Sequence, residues 1–344
     1  MRIADAQELW TAAGVYCNTA SYGLPPRPAW DALQAVLADW RAGRTSWEPW
    51  GESTEAARSS FARMVGVGAD RVAVGSTVSE LVGSLVTALP AKARVIVPDV
   101  EFTSVLFPLL VQSRLDVRTV PVERLADAVS DGADAVAFSA VQMSTGAVAD
   151  LDEIAAAAAA DDAVTICDGT QALGWLPLDG GRFDAVVCAA YKWLMSPRGT
   201  AFAALSERLL EHAIPHSAGW YAGEDVHSSY FGGPLRLAGT ARRFDVSPAW
   251  FCWIGTQPAL ELIEEIGVDA IHGHNLGLAN RFRAGLDLAP SDSAIVFVDT
   301  PAAAERLERA GIVAAVRGGR LRTSWHIYNT EDDVDRVLEA LTAG

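Results

Sequence analysis

Two residues whose types and spacing suit covalent chemistry, Asp168 and Lys192, each follow an apolar run typical of a buried strand. Asp168 ends the run that begins Val164-Thr-Ile-Cys, and Lys192 follows Ala185-Val-Val-Cys, 24 positions after Asp168. In open α/β sheets, ligand-binding groups gather at the carboxyl ends of strands. A lysine amine can form an imine, and a carboxylate can hold a ring nitrogen protonated so that the ring withdraws electrons. Either residue alone also fits an ordinary turn or surface position. Together they favour a cofactor that forms an imine with a lysine and has a protonated ring nitrogen.

A third segment, Gly75 to Glu80, follows the strand-like run Val72-Ala-Val and suits a phosphate. Thr77 and Glu80 have the spacing of a capping box, which marks the start of a helix. The free N–H groups and positive dipole end of such a helix attract anions. A plain helix cap is the alternative, and the segment lacks a P-loop pattern. An imine-forming lysine, a ring-binding carboxylate and a phosphate site together indicate pyridoxal 5'-phosphate (PLP).

These motifs resemble the class V aminotransferase family, PLP enzymes of fold type I that include cysteine desulfurases, kynureninases and related lyases. The resemblance covers nearly the whole chain, from Tyr16 to Asp333. Its most specific stretches are Asp168-Gly-Thr-Gln-Ala-Leu-Gly, Tyr-Lys192-Trp-Leu-Met-Ser-Pro-Arg-Gly-Thr, Ala-Gly239-Thr240 and Arg322-Thr-Ser-Trp-His-Ile-Tyr-Asn-Thr. The implied fold is α/β, with a mostly parallel seven-stranded sheet flanked by helices and a smaller α+β C-terminal domain.

The resemblance implies that Lys192 is catalytic and that a set of residues binds the cofactor. This set is Ser76, Thr77, Phe102, Gln142, Asp168, Gln171, Tyr191, Lys192 and Thr240. Ser76 and Thr77 are expected at the phosphate and Gln171 at the phenolic oxygen. Phe102 is expected to stack on the ring. Gln142 is expected to contact the ring or the substrate, although a shift of one residue would place Met143 or Ser144 there.

The substrate and the second subunit are also implied by the resemblance. Arg322 matches the position that grips the substrate α-carboxylate, for which a planar guanidinium is well shaped. Asn18 matches a substrate-facing position near the entrance. Thr240 lies in a Gly-Thr turn that reaches the phosphate of the neighbouring subunit, so a homodimer with shared active sites is expected. Arg242 and Arg243 are candidates for binding a second acidic group.

The sequence departs from the family pattern at two places. Before the lysine it reads Ala189-Ala190-Tyr191, where many relatives have a phosphate-binding Ser or Thr and a His, so we expect Tyr191 to contribute. The loop that bears the catalytic cysteine of cysteine desulfurases is reduced to Arg317-Gly-Gly-Arg-Leu. Without that nucleophile, persulfide-forming desulfuration is not expected.

These residues predict an enzyme that removes the Cα proton of an α-amino acid. An aminotransferase-like reaction is the first hypothesis, and a C–S or other β-lyase is the second. Epimerisation and kynureninase-like cleavage follow. A noncatalytic PLP-fold binding protein is the non-enzyme alternative, and the retention of both Asp168 and Lys192 disfavours it. A Rossmann dehydrogenase is disfavoured because no G-x-G-x-x-G follows the first strand.

Apolar, β-branched runs alternate with helical patterns along the chain and predict βαβ units around a parallel sheet. Strands are predicted to start at residues 72, 95, 135, 164 and 185. Asp150-Leu-Asp-Glu153 predicts the start of a helix through the alanine run to Ala160. We expect an N-terminal arm and large domain over residues 1–235 and a small domain over 236–344.

The composition limits the partners. With 344 residues and half of them hydrophobic, the chain can form a large core. A net charge of −16 disfavours nucleic-acid binding, which needs clustered Lys and Arg. The four cysteines form no zinc or C-x-x-C pattern, and no apolar segment is long enough for a signal peptide or a membrane span. We therefore expect a cytoplasmic enzyme that acts on a small-molecule amino acid.

Overall fold

The computed structural model describes residues 1–300 and 303–342. Within them, the helices are α1 Ile3–Ala6, α2 Arg27–Arg41, α3 Trp47–Met64, α4 Val78–Leu85, α5 Thr103–Leu110, α6 Leu125–Ser130, α7 Leu151–Ala160, α8 Glu207–His212, α9 Trp250–Ile266, α10 Val268–Ala284, α11 Ala303–Arg309 and α12 Glu331–Thr342. The strands are β1 Val72–Gly75, β2 Arg94–Pro98, β3 Asp116–Val120, β4 Ala135–Ser139, β5 Val164–Asp168, β6 Ala185–Ala189, β7 Ala201–Leu205, β8 Ile295–Val298, β9 Ala315–Arg317 and β10 Arg320–Ser324.

A seven-stranded sheet in the order β1-β7-β6-β5-β4-β2-β3 confirms the predicted architecture. Six strands are parallel, and β7 runs antiparallel to both of its neighbours. The two strands without a clear sequence signal are β3 and β7. Strand β3 is a polar, partly exposed edge strand, and β7 is rich in alanine, which has low strand propensity.

Helices cover both faces of this sheet, because its central strands are apolar on both sides. Val95, Val97 and Ile166 contribute to one core. Phe138 and Cys167 contribute to the other core. The alanine-rich helix α7 begins as predicted, with Asp150 Oδ1 accepting a hydrogen bond of 2.9 Å from the Glu153 N–H. The layers hold the parallel strands in register, so that their carboxyl ends meet at one edge.

The second sheet is antiparallel, in the order β8-β10-β9, and lies in the C-terminal part of the chain. The N-terminal segment runs beside it, through bridges from Tyr16 to Val313 and from Asn18 to Ser324. This segment then reaches the large sheet, where the Gly23 N–H donates to the Tyr191 carbonyl at 2.9 Å.

The predicted division at residues 235 and 236 stays a proposal. Helix α9, which this division assigns to the small domain, packs against α2 and α3. In the part of the chain that the structure describes, no helix has both the length and the apolar character to cross a membrane.

Candidate active site

Residues at or just after the carboxyl ends of β1, β2, β4, β5 and β6 line a cavity of about 200 Å³. Seven of the predicted site residues lie on its wall: Ser76, Thr77, Phe102, Asp168, Gln171, Tyr191 and Lys192. Parallel strands bring together side chains that are more than 100 positions apart in the sequence. This is the location at which open α/β sheets bind ligands.

The Lys192 side chain is buried, with 5 % of the residue exposed. Its Nζ lies 5.4 Å from the centre of the Phe102 ring and 5.7 Å from that of Tyr191. Burial lowers the pKa of the amine to about 8, against the opposing effect of the Asp168 charge, and the Arg322 charge lowers it further. The neutral form, which a nucleophile or a general base requires, is therefore far more populated near physiological pH than in an ordinary lysine, although the protonated form remains the major one.

Asp168 ends β5 and is 4 % exposed. Burial raises the pKa of its carboxyl to about 6, although a hydrogen bond of 2.8 Å from the Thr170 N–H to Oδ1 favours the ionised form. Among the described residues, none forms an ion pair with Asp168 or donates a hydrogen bond to Oδ2. A buried carboxylate with a free oxygen fits a protonated ring nitrogen.

In the turn between β1 and α4, Thr77 caps the helix as predicted, and Glu80 reaches back one residue further, to Ser76. Thr77 Oγ1 accepts from the Glu80 N–H at 3.2 Å, and the Ser76 N–H donates to Glu80 Oε2 at 3.0 Å. The N–H groups of Val78 and Ser79 have no acceptor among the described residues. These amides and the nearby hydroxyls are suited to phosphate oxygens.

Two more predicted residues on the wall are fixed by the surrounding protein. The Gln171 side chain donates from Nε2 to the Ala20 carbonyl at 2.9 Å and accepts at Oε1 from the Trp193 indole at 2.8 Å. One N–H of its amide remains for a ligand. Phe102 is the N-cap residue that precedes helix α5, and its N–H donates to Glu101 Oε1 at 2.7 Å.

Gln142 does not reach the cavity, and Met143 lies on the wall instead. The Gln142 side chain is buried and donates to Glu101 Oε2 at 2.9 Å. The Glu101 carboxylate also accepts from the Ser139 N–H at 2.7 Å and from the Ser139 hydroxyl. The position facing the cavity is thus the neighbouring residue, one of the two alternatives for this segment.

Arg322, at the centre of the small sheet, is 1 % exposed. It donates from Nη2 to Ser21 Oγ at 2.6 Å and from Nη1 to the Met143 carbonyl at 3.5 Å. Its Nε has no partner among the described residues. Burial, together with the nearby Arg317 charge, lowers the pKa of the guanidinium to about 10. A buried cation without a carboxylate partner is suited to an anionic ligand.

Three further candidates lie away from the cavity wall. Asn18 forms its bridge with Ser324, and its Oδ1 is buried without a partner. Thr240 caps the short helix Ala241–Phe244 of its own chain by accepting from the Arg242 N–H at 3.4 Å. The Arg242 guanidinium donates to three backbone carbonyls, those of residues 221, 223 and 224, so that a second acidic group would have to displace them.

Arg198 is a wall residue that no sequence reasoning singled out. Its guanidinium carbon lies 4.9 Å from the centre of the Tyr191 ring, so the two side chains stack. The Tyr191 ring in turn lies 5.1 Å from that of Tyr22. The Pro-Arg-Gly motif after Lys192 was the available signal, but the motif alone does not show which way the side chain points.

The shortened loop before Arg322 is a tight hairpin between β9 and β10. Arg317 and Arg320 face each other in its register, so only Gly318 and Gly319 form the turn. Both glycines have positive φ, 57° and 80°, which is typical of a two-residue hairpin turn. The cysteines lie elsewhere, and burial raises the pKa of each thiol. None lines the described cavity.

Comparisons with known proteins agree with this geometry. The model of the family "Aminotransferase class-V" matches residues 49–307. An uncharacterised aminotransferase, YcbU of Bacillus subtilis, is 27 % identical over 87 % of this chain and 86 % of its own. Isopenicillin N epimerase of Streptomyces clavuligerus is 28 % identical over 100 % of this chain and 99 % of its own. Among solved structures, the apo cysteine desulfurase of Thermococcus onnurineus NA1 superposes with a TM-score of 0.85 at 21 % identity, covering 98 % of this chain and 97 % of its own.

Proposed function

Because the chain belongs to the class V aminotransferase family, we propose that it removes the Cα proton of an α-amino acid with Lys192 and completes a transamination. It is a PLP-dependent enzyme of fold type I, an aminotransferase or a lyase. PLP, when bound, acts as an electron sink for the bond that breaks at Cα. The proposed substrate is a small molecule, an α-amino acid.

The residues on the cavity wall fit this cofactor. Lys192 would hold it covalently, and Asp168 would hold its ring nitrogen. The free amides after Thr77 and the guanidinium of Arg198 would hold the phosphate, in the part of the site where the family's Ser or Thr and His are absent. Phe102 would exclude water from one side of the ring. The free oxygen of Asp168 and the unpartnered amides support this assignment.

The observation that carries the proposal is that Lys192 is the one amine, imidazole or thiol on the described cavity wall. Phe102, across from it, cannot transfer a proton. A single base can remove the Cα proton and redeliver it to the cofactor from the same side. This suits transamination. Desulfuration needs a thiol that the Gly318-Gly319 hairpin does not supply.

The substrate carboxylate would bind Arg322. Its guanidinium is already held by Ser21 and the Met143 carbonyl, so little side-chain entropy is lost when a substrate binds. A fixed carboxylate directs Cα towards the wall formed by Lys192. Such an orientation would bring the Cα proton towards the base that removes it.

Incubation of the holoenzyme with a panel of α-amino acids in D₂O tests this proposal. We expect Cα–H exchange by NMR, and keto-acid formation that requires a keto-acid acceptor. Lys192→Arg should slow the exchange by about 10²- to 10⁴-fold. Lys92→Arg, a change of the same kind at an exposed turn, should not. Wild-type protein with bound cofactor that exchanges no Cα proton would contradict the proposal.

Epimerisation is the second candidate, favoured by the similarity to isopenicillin N epimerase along the full length of both chains. It begins with the same proton removal but returns the proton to the opposite face of Cα. Inversion of configuration without an acceptor would identify it, and release of ammonia without an acceptor would identify a β-lyase.

We also propose a cytoplasmic homodimer whose subunits share their active sites. The exposed apolar side chains of Phe107, Leu110 and Val111 on and after α5 support association. Thr240 does not line the cavity of its own chain, and its hydroxyl, which accepts from the Arg242 N–H, still has a proton to donate to the partner's site. The free cysteines support a reducing compartment.

A further inference from the structure

A second arginine, Arg317, lies beside Arg322 and shares its contact with Ser21. Arg317 Nη2 lies 3.3 Å from Ser21 Oγ, and Arg322 Nη2 lies 2.6 Å from the same oxygen. Two guanidinium groups thus converge on one hydroxyl. The proximity of the Arg317 charge also lowers the pKa of Arg322.

Neither arginine has an acidic partner among the described residues, where every ion pair involves other groups. Arg320, which faces Arg317 across the hairpin, provides the contrast. It pairs with Asp299 at 2.8 Å and lies over the Phe297 ring. Two adjacent cations without a counter-charge repel each other, and this repulsion is relieved when anionic groups bind.

The hairpin holds Arg317 in place. The ladder between β9 and β10 extends to Arg317 itself, and the turn consists of two glycines only. Arg317 therefore stands at the end of a short, paired strand rather than on a long loop. The backbone at Arg317 is therefore fixed, and its side chain reaches Ser21 through the 3.3 Å contact.

The arginine pair lies next to the catalytic cavity, although neither guanidinium is on the described cavity wall. Arg322 donates to the carbonyl of Met143, and Met143 lines the cavity. Ser21 precedes Tyr22, whose ring packs on that of Tyr191, another wall residue. Because Arg322 is buried and Arg317 is exposed, a ligand held by Arg322 would have Arg317 on its solvent side.

We propose that Arg317 is a substrate-binding residue that holds a second anionic group, so that the preferred substrates are α-amino acids with an acidic side chain. This inference rests on the proposed function, in which Arg322 holds the α-carboxylate. One carboxylate leaves one of the two cations uncompensated, whereas a dicarboxylic amino acid supplies two negative charges. Each charge-assisted hydrogen bond contributes to affinity and orientation.

Equilibrium binding of unreactive acids to the holoenzyme tests this inference. Titration calorimetry compares succinate and glutarate with butyrate and valerate, which have the same carbon numbers but one carboxylate. We expect the diacids to bind at least about tenfold tighter to the wild type. Arg317→Gln should remove most of this preference while changing monoacid affinity little. Arg320→Gln removes the same charge from the same hairpin and should leave the preference unchanged.

Equal affinity for diacids and monoacids in the wild type would overturn the inference. So would an unchanged diacid preference in Arg317→Gln, or an equal loss in Arg320→Gln. Because these acids bind without proton transfer, the result does not depend on the Cα-exchange experiment. An enzyme that exchanges Cα protons but binds both acid types equally would refute the acidic-substrate inference alone, and one that exchanges none would refute the proposed function.

Discussion

Burial shifts the pKa values of Lys192 and Asp168 towards each other. It lowers the pKa of the amine to about 8 and raises that of the carboxyl to about 6. The charged form of each group is destabilised by loss of water, and their mutual attraction offsets only part of this effect. A positive ring nitrogen beside Asp168 would restore its ionised form. The two residues are thus suited to a cationic heterocycle at the carboxyl ends of strands β5 and β6.

The Lys192 pKa predicts how cofactor attachment depends on pH. Only the neutral amine is nucleophilic, and its fraction rises as pH rises through the pKa. The rate at which apoprotein binds PLP covalently should therefore increase up to about pH 8 and then level off. Stopped-flow absorbance at fixed cofactor concentration measures this rate. A rate that continues to rise towards 10.5, the ordinary lysine value, would show that the amine is not buried as described.

Arg198 should contribute to phosphate binding. It is, apart from Lys192, the one cationic side chain on the described cavity wall. Arg198→Gln should raise the PLP dissociation constant about tenfold, since a charge-assisted contact to the phosphate is lost. Equilibrium titration of apoprotein provides the measurement. Arg208→Gln, which removes an arginine paired with Asp162 elsewhere on the surface, is the matched control and should change nothing.

At the scale of elements, a buried ion pair joins α3, β1 and the segment after residue 244. Arg58 Nη2 lies 2.6 Å from Asp245 Oδ2, and Arg58 Nη1 donates to the Val72 carbonyl at 2.6 Å. Asp245 Oδ1 accepts from the Val74 N–H at 2.8 Å. Strand β1 leads directly into the turn that contains Ser76 and Thr77, the proposed phosphate site. By fixing β1, the ion pair helps to position these two residues.

Asp245→Ala should lower the free energy of unfolding by about 3 kcal/mol, because it removes the buried acceptor of the Val74 N–H and leaves the buried Arg58 charge paired only with the half-exposed Glu55. The double variant Arg58→Met/Asp245→Ala should lose less than the sum of the single changes. Denaturant unfolding of each variant measures these values. Asp127→Ala breaks the exposed pair with Arg124 and should cost about 1 kcal/mol or less. Equal costs at the two pairs would contradict the role of burial.

Much of the element order could be predicted from sequence, because β1, β2, β4, β5 and β6 are apolar runs with clear turn signals. The helix caps at Thr77 and Asp150 were readable for the same reason, since their partners are three residues away. The Arg58–Asp245 pair was not, because it joins positions 187 residues apart. The sequence alone favoured Gln142 over Met143 as the residue that faces the cavity, because the directions of side chains in an irregular segment follow no fixed period.

At the scale of the whole molecule, the exposed apolar surface predicts association. Leu110 and Val111 are 52 % and 76 % exposed, and Phe231 and Leu235 are 89 % and 81 % exposed. Sedimentation of the holoenzyme should give about twice the chain mass of 36.5 kDa. Leu110→Glu should shift it towards the chain mass by placing a charge in the interface. A wild type that sediments as a single chain at micromolar concentration would contradict the shared-site homodimer.

The identity of the lysine that holds the cofactor tests the central claim most directly, since the chain has only two lysines, Lys92 and Lys192. Borohydride reduction of the holoenzyme, digestion and peptide mass spectrometry would locate the reduced cofactor. The structure predicts the added mass on Lys192 alone, with exposed Lys92 and the N-terminal amine unmodified. Labelling at Lys92, equal labelling of all three amines, or no label after reduction would contradict it.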